Sequence, residues 1–383
     1  MNKYAVSVIL AAAMLLTVFP AVSPCHAADS GPNSRIINDW MLQDHGKDIA
    51  QCFTSARDCQ IESKMLASVL AETPNPKLQA ELKSLTGSKV AGKDPRWRAL
   101  YVKACQARRA ARLTNLLKMT KKIVFTKHYN MGGSHYAYTE GLSDAQSERH
   151  FKPGSALCIW EMEGSKAKIT TLIDDPKGVI RDPDVSYDGK RILFAWKKSR
   201  LKDDYHLYEM SAASGKITQI TSGAGVADFD GKYLPNGEII FNSTRCIQSV
   251  DCNFPEVSNL YVCRADGKHM RRVGFDQVHT SAPAVLDDGR VVYTRWDYND
   301  RGQLYPQPLF VMNYDGTAQT EYYGNNSWFP TTIMHARGIP GSRKLVAIAS
   351  GHHSHQRGKL ILIDRQMGTQ ENSGVQLIAP VVD

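Results

Sequence analysis

The hydrophobic residues of this chain follow two patterns, and the change between them lies near residue 120. From Arg35 to about Thr120 they recur at helical spacing, and prolines and glycines divide the segment into separate helices. The last of these helices is predicted from Pro95 to about Leu117. We therefore predict a helical N-terminal module over residues 28–120.

After Lys121 the chain consists of short hydrophobic runs separated by turn residues. The turn at Asp188-Gly189 recurs at Asn236-Gly237 and Asp288-Gly289, in steps of 48 and 52 residues. Each turn precedes one hydrophobic run and is followed, after a loop, by a second run. Five such units align, and their first segments, turn residues included where present, lie at 123–125, 188–196, 236–244, 288–296 and 342–350.

A repeat near fifty residues with three or four strands per unit predicts a mainly β protein of the β-propeller class. Its strands are nearly continuous apolar runs, as expected when both faces of each blade are buried between neighbours. We assign residues 121–383 to the propeller. Five blades are visible, which leaves two alternatives: a short propeller, or a ring of six or seven blades whose closing blades lie beyond the given chain. We favour the second.

The first 27 residues have the pattern of a secretory signal peptide. Lys3 is followed by an apolar stretch, Ala5 to Phe19, that is too short to span a membrane, and cleavage is expected after Ala27. The mature chain is thus expected to be periplasmic or secreted, without a membrane span. A lipid anchor on Cys25 is the alternative.

The net charge of +9 does not by itself indicate a nucleic-acid partner. Much of the basic excess lies in the predicted helices, and an exported protein does not meet nucleic acid in the cytosol. We interpret the excess as a solvated helix face.

Seven cysteines follow the predicted signal peptide, and an oxidising compartment favours disulfides among them. Cys246 and Cys252 are candidates to close one loop, and Cys52 is a candidate partner of Cys59 or of Cys105. An odd number leaves at least one thiol unpaired within the chain.

Several segments resemble known exported propellers. VSYDGKRILFAW at 185–196 looks like the Ser-Pro-Asp-Gly-Lys signature of TolB-type propellers, with Tyr187 in place of the proline. GRVVYTRWDY, EYYGNNSWFP, HARGIPGSRK, SGHHSHQRGKLILID and ENSGVQLIAP together resemble bacterial propeller proteins related to the α subunit of hydrazine synthase. Some members of that family carry covalent haem. This chain departs from them, because it contains no Cys-x-x-Cys-His haem-attachment motif.

In a propeller, the loops between blades and those between the second and third strands lie at the same end. We therefore expect one end rich in histidine, aspartate and aromatic residues. The candidate ligand-binding residues there are His128, His135, Asp228, Arg295, Trp296, Asp297, Trp328 and His335. The candidate ligands of a divalent metal are His279, His352 and His353.

Each candidate has a structural alternative. The histidines and acids are as well explained by hydrogen bonds to loop backbones, and Arg295 and Trp296 by packing between blades. His279-Thr280-Ser281 does not indicate a hydrolase, because no Gly-x-Ser-x-Gly motif or acid partner accompanies it.

Two hypotheses remain for the function. The first is an exported binding or scaffold protein that docks a protein partner or small ligand on this end of the propeller. The second is a metal-dependent enzyme, a lyase or a subunit of a redox complex, that uses the same residues.

Overall fold

The structure, a computed structural model, describes residues 34–129, 151–163, 166–250, 256–298, 306–351 and 358–378. Contacts divide the chain at Met119–Thr120 into a helical unit and a β unit. None of the helices in the described ranges is both long and apolar enough to cross a membrane.

The helical unit contains α1 Ser34–His45, a 3₁₀ turn Ile49–Gln51, α2 Gln60–Glu72, α3 Pro76–Gly87 and α4 Pro95–Met119. Asn75 caps α3, since its side chain accepts the backbone N–H groups of Lys77 and Leu78. Apolar residues of all four helices form one core, with Leu66, Trp97 and Tyr101 almost fully buried. A helical N-terminal segment is thus present, as predicted.

The β unit contains nineteen strands in the described residues. They are β1 Lys122–His128, β2 Ser155–Glu163, β3 Lys166–Asp175, β4 Val179–Val185, β5 Arg191–Lys197, β6 His206–Ser211, β7 Ile217–Gln219, β8 Asp228–Tyr233, β9 Ile239–Ser243, β10 Asn259–Cys263, β11 Arg271–Arg272, β12 Thr280–Val285, β13 Val291–Arg295, β14 Leu309–Met312, β15 Thr320–Tyr323, β16 Thr332–Gly338, β17 Leu345–Ser350, β18 Lys359–Ile363 and β19 Val375–Leu377.

These strands form five antiparallel sheets, which are the blades of a β-propeller. Blade 1 is β1-β2-β3, blade 2 is β4-β5-β6-β7, blade 3 is β8-β9-β10-β11, blade 4 is β12-β13-β14-β15 and blade 5 is β16-β17-β18-β19. Strands β9 and β10 are buried along their whole length, as the continuous apolar runs predicted. The predicted mainly β propeller fold is confirmed.

The recurring Asp-Gly and Asn-Gly turns join the first and second strands of a blade. Gly189, Gly237 and Gly289 have φ angles of 72°, 85° and 84°, in the left-handed region that glycine adopts without a steric penalty. Each of the three glycines donates its N–H to the carbonyl three residues earlier. The repeat seen in the sequence is therefore a repeated hairpin turn.

The first strands of blades 2 to 5, which are β4, β8, β12 and β16, share an irregularity. Each has a register shift against the second strand of its blade. At this bulge a residue other than glycine has a φ angle between 52° and 55°: Asp182, Asp230, Ala282 and His335 respectively. Such bulges redirect side chains, and here they occur at one position in four successive blades.

Strand order defines the two ends of the blades. We call the end at which the first strand of a blade begins the loop end; the second strand ends there. The loop end carries the connections β5–β6, β7–β8, β9–β10, β11–β12, β13–β14 and β15–β16. The Asp-Gly and Asn-Gly turns lie at the opposite turn end.

Candidate functional site

At the loop end of blade 4, His279 and Trp296 lie face to face. Their ring centroids are 5.6 Å apart with the planes inclined by 22°, and Tyr298 meets Trp296 edge-on at 5.2 Å. His279 and Trp296 are both buried. The structure thus brings together two residues that the sequence assigned to different sites, and it places them in a packed cluster.

The protonation of His279 follows from its surroundings. Burial lowers its pKa to about 3, so the ring is neutral at pH 7. Its Nδ1 accepts the backbone N–H of Ser258 at 3.1 Å, so the hydrogen of the neutral ring lies on Nε2. Nε2 therefore offers no lone pair to a metal in this tautomer.

The metal hypothesis rests on residues that are only partly described. His352 and His353 lie outside the described residues, so the set His279, His352 and His353 stays a prediction. Within the described ranges, no group of three or more His, Cys, Asp or Glu residues is arranged to hold a metal ion.

Arg295 is bound between two carboxylates. Its Nε lies 3.0 Å from Asp276 Oδ1 and 3.1 Å from Asp297 Oδ1, and its guanidinium covers the ring of Phe310 at 4.7 Å. Burial raises the pKa of Asp276, an effect that the Arg295 charge opposes. Arg295 and Asp297, two predicted ligand-binding residues, thus pair with each other, and Arg295 also pairs with the connection between blades 3 and 4.

Asp228, at the start of β8, is the fully buried acceptor of another network. It receives hydrogen bonds from Ser243 Oγ at 2.7 Å and from Arg245 Nε and Nη2 at 3.1 and 2.7 Å. His206 Nδ1 lies 3.4 Å from its Oδ2. Burial by itself raises the pKa of Asp228, but the hydrogen bonds and the Arg245 charge outweigh it and hold the pKa below 3.8.

The bulges of the first strands gather charged side chains from three blades. On β4, Arg181 Nε donates to Asp182 Oδ2 at 2.6 Å, and its guanidinium lies over the rings of Tyr205 and Phe229. Asp182 Oδ2 also accepts the backbone N–H of Asp230 on β8 at 3.2 Å. Blades 2 and 3 are therefore joined through these charges.

Blade 5 adds His335 and Arg337 to the same region. The charge of Arg337 acts on Asp230 of blade 3, and the charge of Arg181 of blade 2 acts on His335. Blade 4 separates blade 5 from blades 2 and 3 along the chain, so these charges meet across the propeller axis. We call Arg181, Asp182, Asp184, Asp230, Lys232, His335 and Arg337 the axial cluster.

Members of the axial cluster lie deep in the propeller, yet several retain access to solvent. Asp182, Asp184, His335 and Arg337 are half-buried. Burial first, and then the nearby Arg337 charge, lowers the pKa of His335 to about 4. Burial also lowers the pKa of the Arg337 guanidinium, against the opposing effect of Asp230.

Lys232 and Arg337 were missed by the sequence argument. Each follows a bulge residue by two positions, Asp230 and His335 respectively. A simple alternation of strand faces does not assign them, because the bulge inserts a residue and breaks the alternation. The signal that could have found them is the alignment of the first strands with one another.

The loop end also carries five strongly exposed hydrophobic side chains. They are between 57% and 86% exposed, and they are Leu201, Ile247, Phe275, Trp328 and Phe329. The loop of Trp328 is tied to blade 5, because Glu371 Oε1 accepts its backbone N–H at 2.7 Å. Of these five residues, the sequence analysis had singled out only Trp328.

The remaining predicted residues are dispersed. His128 is exposed at the end of β1, and His135 lies outside the described residues. Cys52 and Cys59 are both free thiols, so the predicted pairing between them is not formed in the structure. Cys105 and Cys246 are free as well. Cys252 lies outside the described residues, so its pairing with Cys246 stays a prediction.

Comparisons by sequence identify no relative: no protein-family model matches the chain, and no curated protein matches it. Solved structures do match its fold. Hydrazine synthase from Kuenenia stuttgartiensis aligns with a TM-score of 0.52 and 16% identity, over 67% of this chain and 38% of that one. This chain thus spans well under half of the hydrazine synthase chain.

Two further structures align less closely. TolB from Acinetobacter baumannii has a TM-score of 0.45 and 14% identity, over 73% of this chain and 60% of that one. An oligogalacturonate lyase in complex with manganese has a TM-score of 0.40 and 12% identity, over 66% of each chain. The predicted resemblance is thus confirmed at the level of the fold, and this protein has a β-propeller similar to part of hydrazine synthase.

Proposed function

We propose that this protein is a binding scaffold that docks a protein partner on the loop end of its propeller. The observation that carries the proposal is that five strongly exposed hydrophobic residues lie on four connections at this end. Beside the Asp188-Gly189 turn at the opposite end, Tyr187 is only 40% exposed. Concentrations of exposed apolar side chains on a folded surface are typical of interaction sites.

The side chains inside the loop end favour a rigid binding surface. Trp296, His279 and Arg295, which lie at the same end, are already held by intramolecular contacts, so these side chains need not be ordered on binding. A preorganised surface loses less conformational entropy when its partner binds. We therefore assign the predicted residues Arg295, Trp296 and Asp297 to support, and Trp328 to direct contact.

Site-specific photo-crosslinking tests the docking surface. We expect a benzophenone side chain at position 275 or 328 to give one discrete protein adduct in the cells that produce this protein. The same group at position 187, beside the Asp188-Gly189 turn of the turn end, is the matched control and should give none. Adducts of equal yield at all three positions, or at position 187 only, would contradict the proposal.

A double substitution provides the quantitative test. Trp328→Ser with Phe329→Ser is expected to weaken binding of the crosslinked partner at least about tenfold, because exposed aromatic anchors dominate many interfaces. Thermal unfolding should be unchanged, and Tyr187→Ser at the turn end should bind normally. Unchanged affinity in the double variant would exclude this loop from the interface.

We also propose that the scaffold is exported, on the signal-peptide pattern of residues 1–27. The mature protein is then expected to begin at Ala28. Intact-mass analysis of protein purified from the natural source measures this directly. A chain that retains Met1 would exclude export by this signal, without affecting the docking proposal.

A further inference from the structure

The three cations of the axial cluster are matched in number by three aspartates, but they retain N–H donors that have no carboxylate acceptor. Lys232 Nζ donates to the Gly231 carbonyl at 3.0 Å and Arg337 Nη1 to the Ala336 carbonyl at 2.9 Å. Neither side chain makes an ion pair with a carboxylate in the described part of the chain. Arg181 Nη1 is buried and has no acceptor among the described groups. Three positively charged groups therefore retain donors that the protein does not use.

Two of the three carboxylates in the cluster already accept hydrogen bonds from other groups. Asp182 accepts from Arg181 Nε and from the backbone of Asp230. Asp184 Oδ2 accepts the backbone N–H of Tyr233 at 2.9 Å. Burial and then the charge of Asp182 raise the pKa of Asp230 to about 6, so its negative charge is readily lost in mild acid.

Blade 4 contributes nothing to balance these charges. At the positions where blades 3 and 5 carry Lys232 and Arg337, blade 4 carries Ala284, and its bulge residue is Ala282. Lys232 and Arg337, whose side chains donate to backbone carbonyls, thus flank a blade that presents only alanine at this level. Buried donors without an acceptor are costly, and the oxygen atoms of one anion can accept from several such donors.

We propose that the axial cluster binds a small oxyanion group, a carboxylate or a tetrahedral anion, through Lys232, Arg337 and the Nη1 of Arg181. Half-buried His335 and Arg337 leave the cluster open to solvent. Arginine and lysine donors in a partly desolvated site suit such anions. The proposed anion site uses other residues than the docking surface. An experiment can therefore refute one proposal and leave the other standing.

Sulfate is the probe for a first test, with chloride at matched ionic strength as the reference. A sulfate concentration of about ten times its dissociation constant should raise the midpoint of thermal unfolding by roughly 3 °C. Lys232→Met and Arg337→Met should each weaken sulfate binding about tenfold or more. Acetate, titrated in parallel, reports whether a planar carboxylate is preferred to a tetrahedral anion.

The stability of the methionine variants and a matched control show whether a lost sulfate response comes from the anion site. The charge of Lys232 favours the ionised forms of Asp182 and Asp230, so Lys232→Met is expected to melt below the wild type without sulfate. The sulfate response of each folded variant is therefore measured as the shift from its own melting temperature. Arg343→Gln, an exposed cation at the turn end, is the matched control and should keep the full sulfate response. An equal response in wild type and both methionine variants would overturn the proposal.

The pH dependence gives an independent measurement. The charges that act on Asp230 are those of Asp182, Arg181, Lys232 and Arg337. His335, on which the same four groups act, stays neutral between pH 7 and 5, because its pKa is about 4. Protonation of Asp230 near pH 6 removes one negative charge, so sulfate affinity should rise by at least about threefold from pH 7 to pH 5. Asp230→Asn should abolish this rise. A rise that persists in Asp230→Asn would exclude Asp230 as its source.

Discussion

Asp228→Ala is expected to lower the free energy of unfolding of the propeller by about 3–5 kcal/mol. The carboxylate is fully buried and accepts hydrogen bonds from Ser243 Oγ and from two nitrogens of Arg245. Alanine leaves the guanidinium and the hydroxyl without their acceptor in a region of low dielectric. The loss of stability comes more from these donors, which are left without an acceptor, than from the removal of the carboxylate itself.

Urea denaturation of the complete chain measures this effect. Asp174→Ala is the control, because this exposed carboxylate on β3 belongs to the same unit, and its change should stay within about 0.5 kcal/mol. Asp228→Asn keeps the shape and separates charge from packing. A loss below about 1 kcal/mol for Asp228→Ala would show that the Arg245 network does not stabilise the propeller.

The same carboxylate predicts how stability varies with acid. The pKa of Asp228 is depressed in the folded protein relative to its usual value of 3.8. Its contribution is therefore present above that value and is lost as pH falls through the folded pKa. The difference in stability between wild type and Asp228→Ala should narrow in this acid range.

Trp97→Ala is expected to destabilise the helical unit by about 3–5 kcal/mol. The indole is fully buried in the core of the helices, and its Nε1 donates to the Val90 carbonyl at 3.0 Å. Alanine leaves a cavity and an unpaired carbonyl. The backbone amides of Gln60–Glu72 and Pro95–Met119 should exchange their hydrogens faster. The amides of the propeller strands should keep their protection against exchange.

Arg98→Ala is the control for this prediction. Arg98 is the exposed neighbour of Trp97 in the same helix, and alanine there preserves helix propensity. Its exchange profile should match that of wild type. If Trp97→Ala reduced the protection against exchange equally in both units, the helical core and the propeller core would not be stabilised independently.

The blades were predictable because each depends on local information. A hydrophobic run such as 191–196, next to a turn such as Asp188-Gly189, specifies a hairpin from a dozen neighbouring residues. Repetition of this signal then specifies the propeller, because each unit must bury both faces against another copy. The helices were predictable for the same reason, from the spacing of apolar residues around Trp97 and Leu100.

The sites were less predictable, because they depend on residues far apart in the chain. His279 lay in a segment with no sign of its partner, and it stacks on Trp296 only because β12 pairs with β13. Free Cys52 and Cys59 show the same limit: spacing made them candidates for a disulfide, but their positions in the folded helices leave both thiols unpaired.

The sequence by itself determined the class of fold, the helical segment and the order of strands within each blade, since local periodicity and turn residues carry that information. Only the tertiary structure decided which polar residues meet at the axis. Arg181 and Arg337 lie more than 150 residues apart, and they approach one region because the blades turn about a common axis and because bulges rotate the side chains of their first strands. No local pattern encodes both the ring and the bulge, so the axial cluster was visible only in the folded protein.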